Sequence, residues 1–130
     1  MRYNGKAWIQ MSSGTNENFN GIWGASPTDI YIVGDNGELR HYNGSAWTKI
    51  PLTITESLSK IWGSSSTDIF IVGKGGCIIH FDGVSWNSFS GVGARSVTTE
   101  DLNDVWGTSG TDVYTAVSYT HLTLPTIYSV

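Results

Sequence analysis

The stretch IWGSSSTDIFIVG at residues 61–73 stands almost unchanged at residues 22–34, as IWGASPTDIYIVG, and begins once more at residue 105, as VWGTSGTDVY. The copies sit in a wider register. Trp8, Trp47 and Trp86 are spaced by 39 residues, and so are Trp23 and Trp62, and Gly34 and Gly73. From Trp62 to Trp106 the spacing is 44, because the connector before the third copy is longer. An insertion confined to one connector marks a loop on one face of an array, and a period near forty residues means one supersecondary unit per repeat.

The unit reads as strands. FNGIWG (19–24) is a short apolar run, SPT makes a turn, and DIYIVG (29–34) is β-branched and aromatic at successive positions, as in a strand covered on both faces. DNG turns the chain into a third strand at 37–42. Asn43-Gly44 then reads as a two-residue type I′ hairpin into a fourth strand at 45–50. The second copy repeats the pattern, with Asp82-Gly83 at the hairpin. No window shows a helical period with caps. Four short antiparallel strands in forty residues describe the blade of a β-propeller, with the Trp-Gly strand innermost. A parallel β-helix, whose repeats are shorter, is the alternative.

Composition bounds the function. The 130 residues, one ordinary domain in length, carry seven Lys and Arg against eleven Asp and Glu, a net charge of −4. There is no basic run of the kind nucleic acid requires. No apolar stretch has transmembrane length, and no signal peptide precedes the repeats. Cys77 is the single cysteine, so an internal disulfide is impossible.

The paired motif W-G-x-S-x-T-D-I-[YF]-I-V-G and H-[YF]-[ND]-G-x-x-W resembles the repeats of exported bacterial multi-blade propellers, distantly akin to the Asp-box (BNR) and Kelch types. The resemblance covers residues 1 to about 116. It implies an all-β propeller of four-stranded antiparallel blades, and a place outside the cell or on the surface of a bacterium. A true Asp-box places one residue between Asp and Gly; FDGVSW and HYNGSAW have none. The sialidase or glycosidase activity of some Asp-box proteins therefore does not carry across.

Both ends break the pattern. MRYNGKAW aligns with RHYNGSAW, so the chain is expected to open in mid-blade. VSYTHLTLPT (117–126) lacks the repeat and resembles the translation of a transposase-type sequencing-library adaptor. The expected organisation is a partial propeller over 1–116, comprising a blade tail at 1–10, blades at 11–50 and 51–90 and the start of a blade at 91–116, followed by a non-native tail at 117–130. The outer faces of such an array are expected to be apolar and uncovered, needing the remaining blades of a longer chain. The strand edge at 113–116 is expected to be unpaired, a template for pairing between chains.

Side chains that carry chemistry are few. Asp29, Asp68 and Asp112 share one repeat position, where an Asp before a strand is expected to accept backbone N–H bonds and fix the turn. His41 and His80 also share a position; a metal would need further ligands, so packing on the strand face is expected instead. Trp47 and Trp86, with Tyr42 and Phe81, are candidates for stacking on sugar rings, but packing between strands and blades is the stronger expectation. Trp23, Trp62 and Trp106 are expected to wedge between inner strands beside a glycine. A sialidase-like site needs clustered arginines, and Arg2, Arg40 and Arg95 share no repeat position. VGKGG (72–76) lacks P-loop spacing. No catalytic, metal or cofactor residues are assigned, and no cofactor is expected. Two functions stay open: a non-catalytic binding or scaffold propeller presenting its loops to a protein or glycan, and a fragment of a carbohydrate-active propeller enzyme whose catalytic blades lie elsewhere.

Overall fold

The structure, a computed structural model, describes residues 1–88, 100–117 and 127–129. The first full repeat folds into β3 (Phe19–Ser26), β4 (Asp29–Gly34), β5 (Leu39–Tyr42) and β6 (Trp47–Lys49), an antiparallel sheet in chain order. The second forms β7 (Leu58–Ser65), β8 (Asp68–Gly73), β9 (Ile78–Phe81) and β10 (Trp86–Ser88) in the same order. The register repeats with the sequence: Trp23 lies opposite Tyr31 as Trp62 lies opposite Phe70, and Tyr42 opposite Trp47 as Phe81 opposite Trp86. The third repeat supplies β11 (Leu102–Ser109) and β12 (Asp112–Val117), and a short hairpin of β1 (Arg2–Tyr3) and β2 (Trp8–Ile9) precedes the first sheet. Among the described residues, helical structure is confined to one-turn 3-10 segments at Asp35–Gly37 and Lys74–Gly76.

The sheets stack because each middle strand is apolar on both sides. Every residue of DIFIVG in β8 from Ile69 to Gly73 is buried. One core lies between the first and second sheets, where Tyr31, Val33 and Leu39 meet Ile61, Ile69 and Ile71. The next lies between the second and third, where Phe70, Val72 and Ile78 meet Val105, Val113 and Val117. Each fully buried aliphatic side chain contributes roughly 1.5–3 kcal/mol, and two such cores hold three sheets in a row. β3 touches β7 and β7 touches β11, so the first strand of each repeat is the inner one. They approach closely at Gly21, where a Cβ would stand 3.0 Å from Lys60 Cα.

Turn chemistry departs from the sequence reading at one place. Asn43 does not have the positive φ of a type I′ turn; only Gly44 does, at 99°. Tyr42 pairs with Trp47, which leaves a four-residue loop, and Asn43 Oδ1 accepts the N–H groups of Ser45 and Ala46 at 2.9 and 3.0 Å. Asn4 and Asp82 do the same in their repeats. The type I′ geometry instead belongs to Asn36-Gly37, with φ of 57° and 65° and Glu38 N–H donating to Asp35 O at 3.2 Å. Gly75-Gly76 repeats it at 68° and 75°.

The edge of β12 is also not free. β13 (Ile127–Ser129) pairs with it antiparallel, setting Tyr114 opposite Ser129 and Ala116 opposite Ile127. The third sheet thus has three strands, and the expectation of an unpaired edge at 113–116 is corrected. The expectation of a non-native tail falls mostly on residues 118–126, outside the described residues.

Candidate binding surface

Each sheet has a forward face, toward the next repeat, and a rear face. On the forward face of the first sheet Trp23, Tyr31 and His41 form a row across three strands, with ring centroids 6.4 and 4.5 Å apart. Trp62, Phe70 and His80 repeat it at 6.5 and 4.3 Å. The histidines therefore pack on aromatic rings, as the sequence suggested, but they do more. His41 Nε2 donates to Asp29 Oδ1, and His80 Nε2 to Asp68 Oδ1, each at 2.6 Å.

The repeated aspartates consequently act differently from the expectation. They accept from side chains, not from the turn backbone. Ser64 Oγ donates to Asp68 Oδ2, and Thr108 Oγ1 to Asp112 Oδ2 at 2.6 Å. The turn itself is held by the preceding serines: Ser26, Ser65 and Ser109 accept the N–H groups of Thr28, Thr67 and Thr111. Asp112 is held below the usual carboxylate range by bonds from Thr108 and Tyr114. Burial, and then the charge of Asp29, pushes the Tyr31 hydroxyl up. These groups are engaged in holding strands together, and no group of three metal-ligating side chains occurs among the described residues.

The tryptophans set the spacing between sheets. A Cβ on Gly63 would stand 2.7 Å from the Trp23 ring, and one on Gly107 would stand 2.8 Å from the Trp62 ring. Each indole thus lies over the glycine that follows the next tryptophan. Trp86 stacks on Phe81 and meets Tyr31 of the preceding sheet edge-on, with centroids 5.8 Å apart. Its place is between sheets. Trp47 rests on Tyr42 and lines a groove of about 400 Å³ on the rear face of the first sheet, with Met1, Met11, Phe19, Ile22 and Ile32.

One ion cluster has no counterpart in the second repeat. Glu38, 4% exposed, receives Arg40 Nε at 2.6 Å and has Lys49 Nζ at 3.6 Å. The corresponding positions in the second repeat are Cys77, Ile79 and Ser88. The 39-residue pattern gave no signal for this cluster because it does not repeat.

The two ends of the array differ in kind. One end carries the Ser-x-Thr-Asp turns and the Asn-Gly or Asp-Gly loops, where the same residues recur in each repeat. The other carries the connectors and the 3-10 turns. There Asp35 N–H donates to Asn18 O and Lys74 N–H to Ser57 O, and Gly75 N–H reaches Asp101 Oδ1 at 2.9 Å. Among the described residues of this end the side chains change from repeat to repeat: half-buried Asp35 becomes exposed Lys74, and half-buried Gly21 becomes Lys60 and then Asp104, both exposed. Asn20 and Ser57 donate to Asp35, which with a bond from Asn18 and the charge of Lys74 keeps its carboxyl below the usual range.

No family model and no curated protein matches the chain. Among solved structures it is similar to that of YCF48 bound to D1 peptide, with a TM-score of 0.68 over 82% of this chain, at 14% identity. The fold is that of a β-propeller. The sheets are its blades, two of them complete and flanked by partial ones, and the chain covers 36% of the length of YCF48 in that structure.

Proposed function

We propose that the chain is a non-catalytic binding propeller whose connector end takes an extended protein segment. The observation that carries this reading is the contrast between the two ends. Residues that recur in every blade are engaged in turns and strand bridges, whereas the residues described at the connector end vary on hydrogen-bonded backbone. A rigid frame bearing varied side chains is the arrangement that specific recognition needs. Lys60 and Lys74 stand there with Asp35, Asp101 and Asp104, so the surface offers both signs of charge to a mixed-charge peptide. The similar propeller YCF48 was solved with a peptide, which supports a protein segment as the class of ligand. Trp86, one of the two tryptophans considered for sugar stacking, is packed on Phe81 and Tyr31.

The test is to probe the purified chain against an array of synthetic peptides and an array of oligosaccharides side by side. Saturable binding to a subset of peptides, with the preferred charge pattern altered by Lys60→Glu and Lys74→Glu, is expected. Binding to sugars alone, or peptide binding that ignores both charge reversals, would overturn the reading.

A further inference from the structure

The chain holds four Asn-Gly dipeptides, at residues 4–5, 20–21, 36–37 and 43–44. Such a pair is chemically reactive, because no Cβ hinders attack by the glycine nitrogen on the preceding side-chain amide. The fold divides the four into two kinds. At the connector end both pairs are locked. Asn20 Nδ2 donates to Asp35 Oδ1 at 3.1 Å and to Leu58 O at 3.0 Å, and Gly21 lies in the β3–β4 ladder opposite Val33. Asn36 Nδ2 donates to Glu17 Oε2 at 3.0 Å, and the N–H of buried Gly37 donates to Glu56 O at 2.9 Å. The turn end is arranged the other way. Asn4 and Asn43 are exposed, and among the described residues neither Nδ2, nor the N–H of Gly5 or Gly44, has a hydrogen-bond partner. Their side-chain oxygens are engaged instead. Asn43 Oδ1 accepts from Ser45 and Ala46 N–H at 2.9 and 3.0 Å, and Asn4 Oδ1 from Lys6 and Ala7 N–H at 2.9 Å each. Two donors on that oxygen stabilise the negative charge that collects there when Cγ is attacked.

We propose that the Asn43-Gly44 loop is a site of self-modification, at which Asn43 converts to aspartate and isoaspartate, and that Asn4-Gly5 is a second site of the same kind. The Gly44 nitrogen gives its proton to water and bonds to Asn43 Cγ. The side-chain nitrogen takes up a proton and leaves as ammonia, which closes a succinimide ring. Water then opens the ring. Cleavage between Gly44 N and Cγ gives aspartate; cleavage between Gly44 N and the Asn43 backbone carbonyl carbon gives isoaspartate, with the main chain rerouted through the side chain. The second blade shows that the first product fits. Asp82 stands where Asn43 does, and its Oδ1 accepts from Val84 and Ser85 N–H at 2.9 Å each. Asp82 is exposed although a sheet packs on each side of its own, so exposure of this loop belongs to the blade itself. The same N–H groups hold its carboxyl below the usual range, and an ionised carboxylate is a poor target for attack. Isoaspartate does not fit, because the rerouted chain carries the acceptor away from Ser45 and Ala46. The turn end thus gains charge with time, while the connector end keeps its amides.

The experiment incubates the full chain in mildly alkaline buffer, folded and in guanidinium chloride, and follows each amide by tryptic mapping and mass spectrometry. Trypsin isolates Asn43 in residues 41–49 and leaves Asn20 and Asn36 in residues 7–40, where fragmentation separates them. In denaturant the three are expected to convert at comparable rates. In the folded chain Asn43 is expected to convert several-fold faster than Asn20 or Asn36, and its product to accept a methyl group from an isoaspartyl methyltransferase. Conversion at Asn43 no faster than at Asn20 and Asn36 in the folded chain overturns the proposal. So does an Asn43 that stays intact in the folded chain while it converts in denaturant. Conversion without any isoaspartate means direct hydrolysis and overturns the ring-closing route.

Discussion

Adding one methyl group at the same position of three successive blades should have different consequences in each. At Gly63 an alanine Cβ would stand 2.7 Å from two carbons of the Trp23 ring and 3.1 Å from Asp68 O. At Gly107 it would meet Asp112 O at 2.8 Å as well as the Trp62 ring at 2.8 and 2.9 Å. At Gly24 it would meet no ring, only Ile30 Cγ1 at 3.2 Å, Asp29 O at 3.4 Å and Ser26 O at 3.5 Å. None of the three has a positive φ, so the backbone accepts alanine and the effect is one of space. Overpacking a filled interior costs about 1–3 kcal/mol. Replacing glycine returns about 0.4–1 kcal/mol through the unfolded chain. The net expectation is a loss of about 1–2 kcal/mol for Gly63→Ala, somewhat more for Gly107→Ala, and no loss or a small gain for Gly24→Ala.

The assay is a urea melt at a concentration where the chain is a monomer. With a slope of about 2 kcal/mol per M, the Gly63→Ala midpoint should fall by about 0.5–1 M. Pairing Gly63→Ala with Trp23→Leu should recover part of the loss, because the shorter side chain vacates the contested space; neighbours in contact couple by about 0.5–3 kcal/mol. Equal stability of Gly63→Ala and Gly24→Ala would refute the reasoning, since the two differ chiefly in the ring that covers one of them.

Gly37→Ala should destabilise more than Gly75→Ala in the same melts. Both residues have a positive φ, 65° and 68°, but a Cβ on Gly37 would run into the Ile54 carbonyl while Gly75 has open space. Asn43→Ala removes the acceptor of two backbone N–H groups and should cost about 1 kcal/mol by denaturant melt. Asp82 has its pKa lowered by the N–H groups of Ser85 and Val84, so its contribution is present above about pH 4 and is lost as the pH falls through the depressed folded value. Asp82→Asn keeps the loop, as Asn43 does in the preceding blade, and should flatten that part of an acid melt. Asp68→Ala deprives His80 and Ser64 of a shared partner and should lower the midpoint more than Ser64→Ala, which removes one donor only.

The blades were legible because the repeat prints each strand twice. Tyr31 and Phe70, Val33 and Val72 occupy equal places in equal strands, and the tryptophans mark the register between them. Turn type was less legible. Asn43-Gly44 and Asn36-Gly37 are the same dipeptide, and which one forms the type I′ turn depends on where the flanking strands pair. Only the pairing of Tyr42 with Trp47 shows that four residues lie between β5 and β6. The role of Asp29 and Asp68 was misread for a related reason: their histidine partners lie on the adjacent strand, twelve residues on, and become neighbours only through register. Glu38 with Arg40 and Lys49 was invisible to a reading built on repeats. The ligand is hardest to read, because the residues that recur serve the fold and those that serve recognition are the ones that differ.

The blades pack face to face, with the Trp23 and Trp62 indoles lying over the glycine of the next inner strand. Proton NMR tests this directly through cross-relaxation between indole protons and glycine α-protons in a dilute sample. The prediction is cross-peaks from the Trp23 ring to Gly63 and from the Trp62 ring to Gly107, with both glycines shifted by ring currents and Gly24 at an ordinary position. Glycine signals unshifted at all three sites, with no indole cross-peaks, would mean that the blades do not stack in this way.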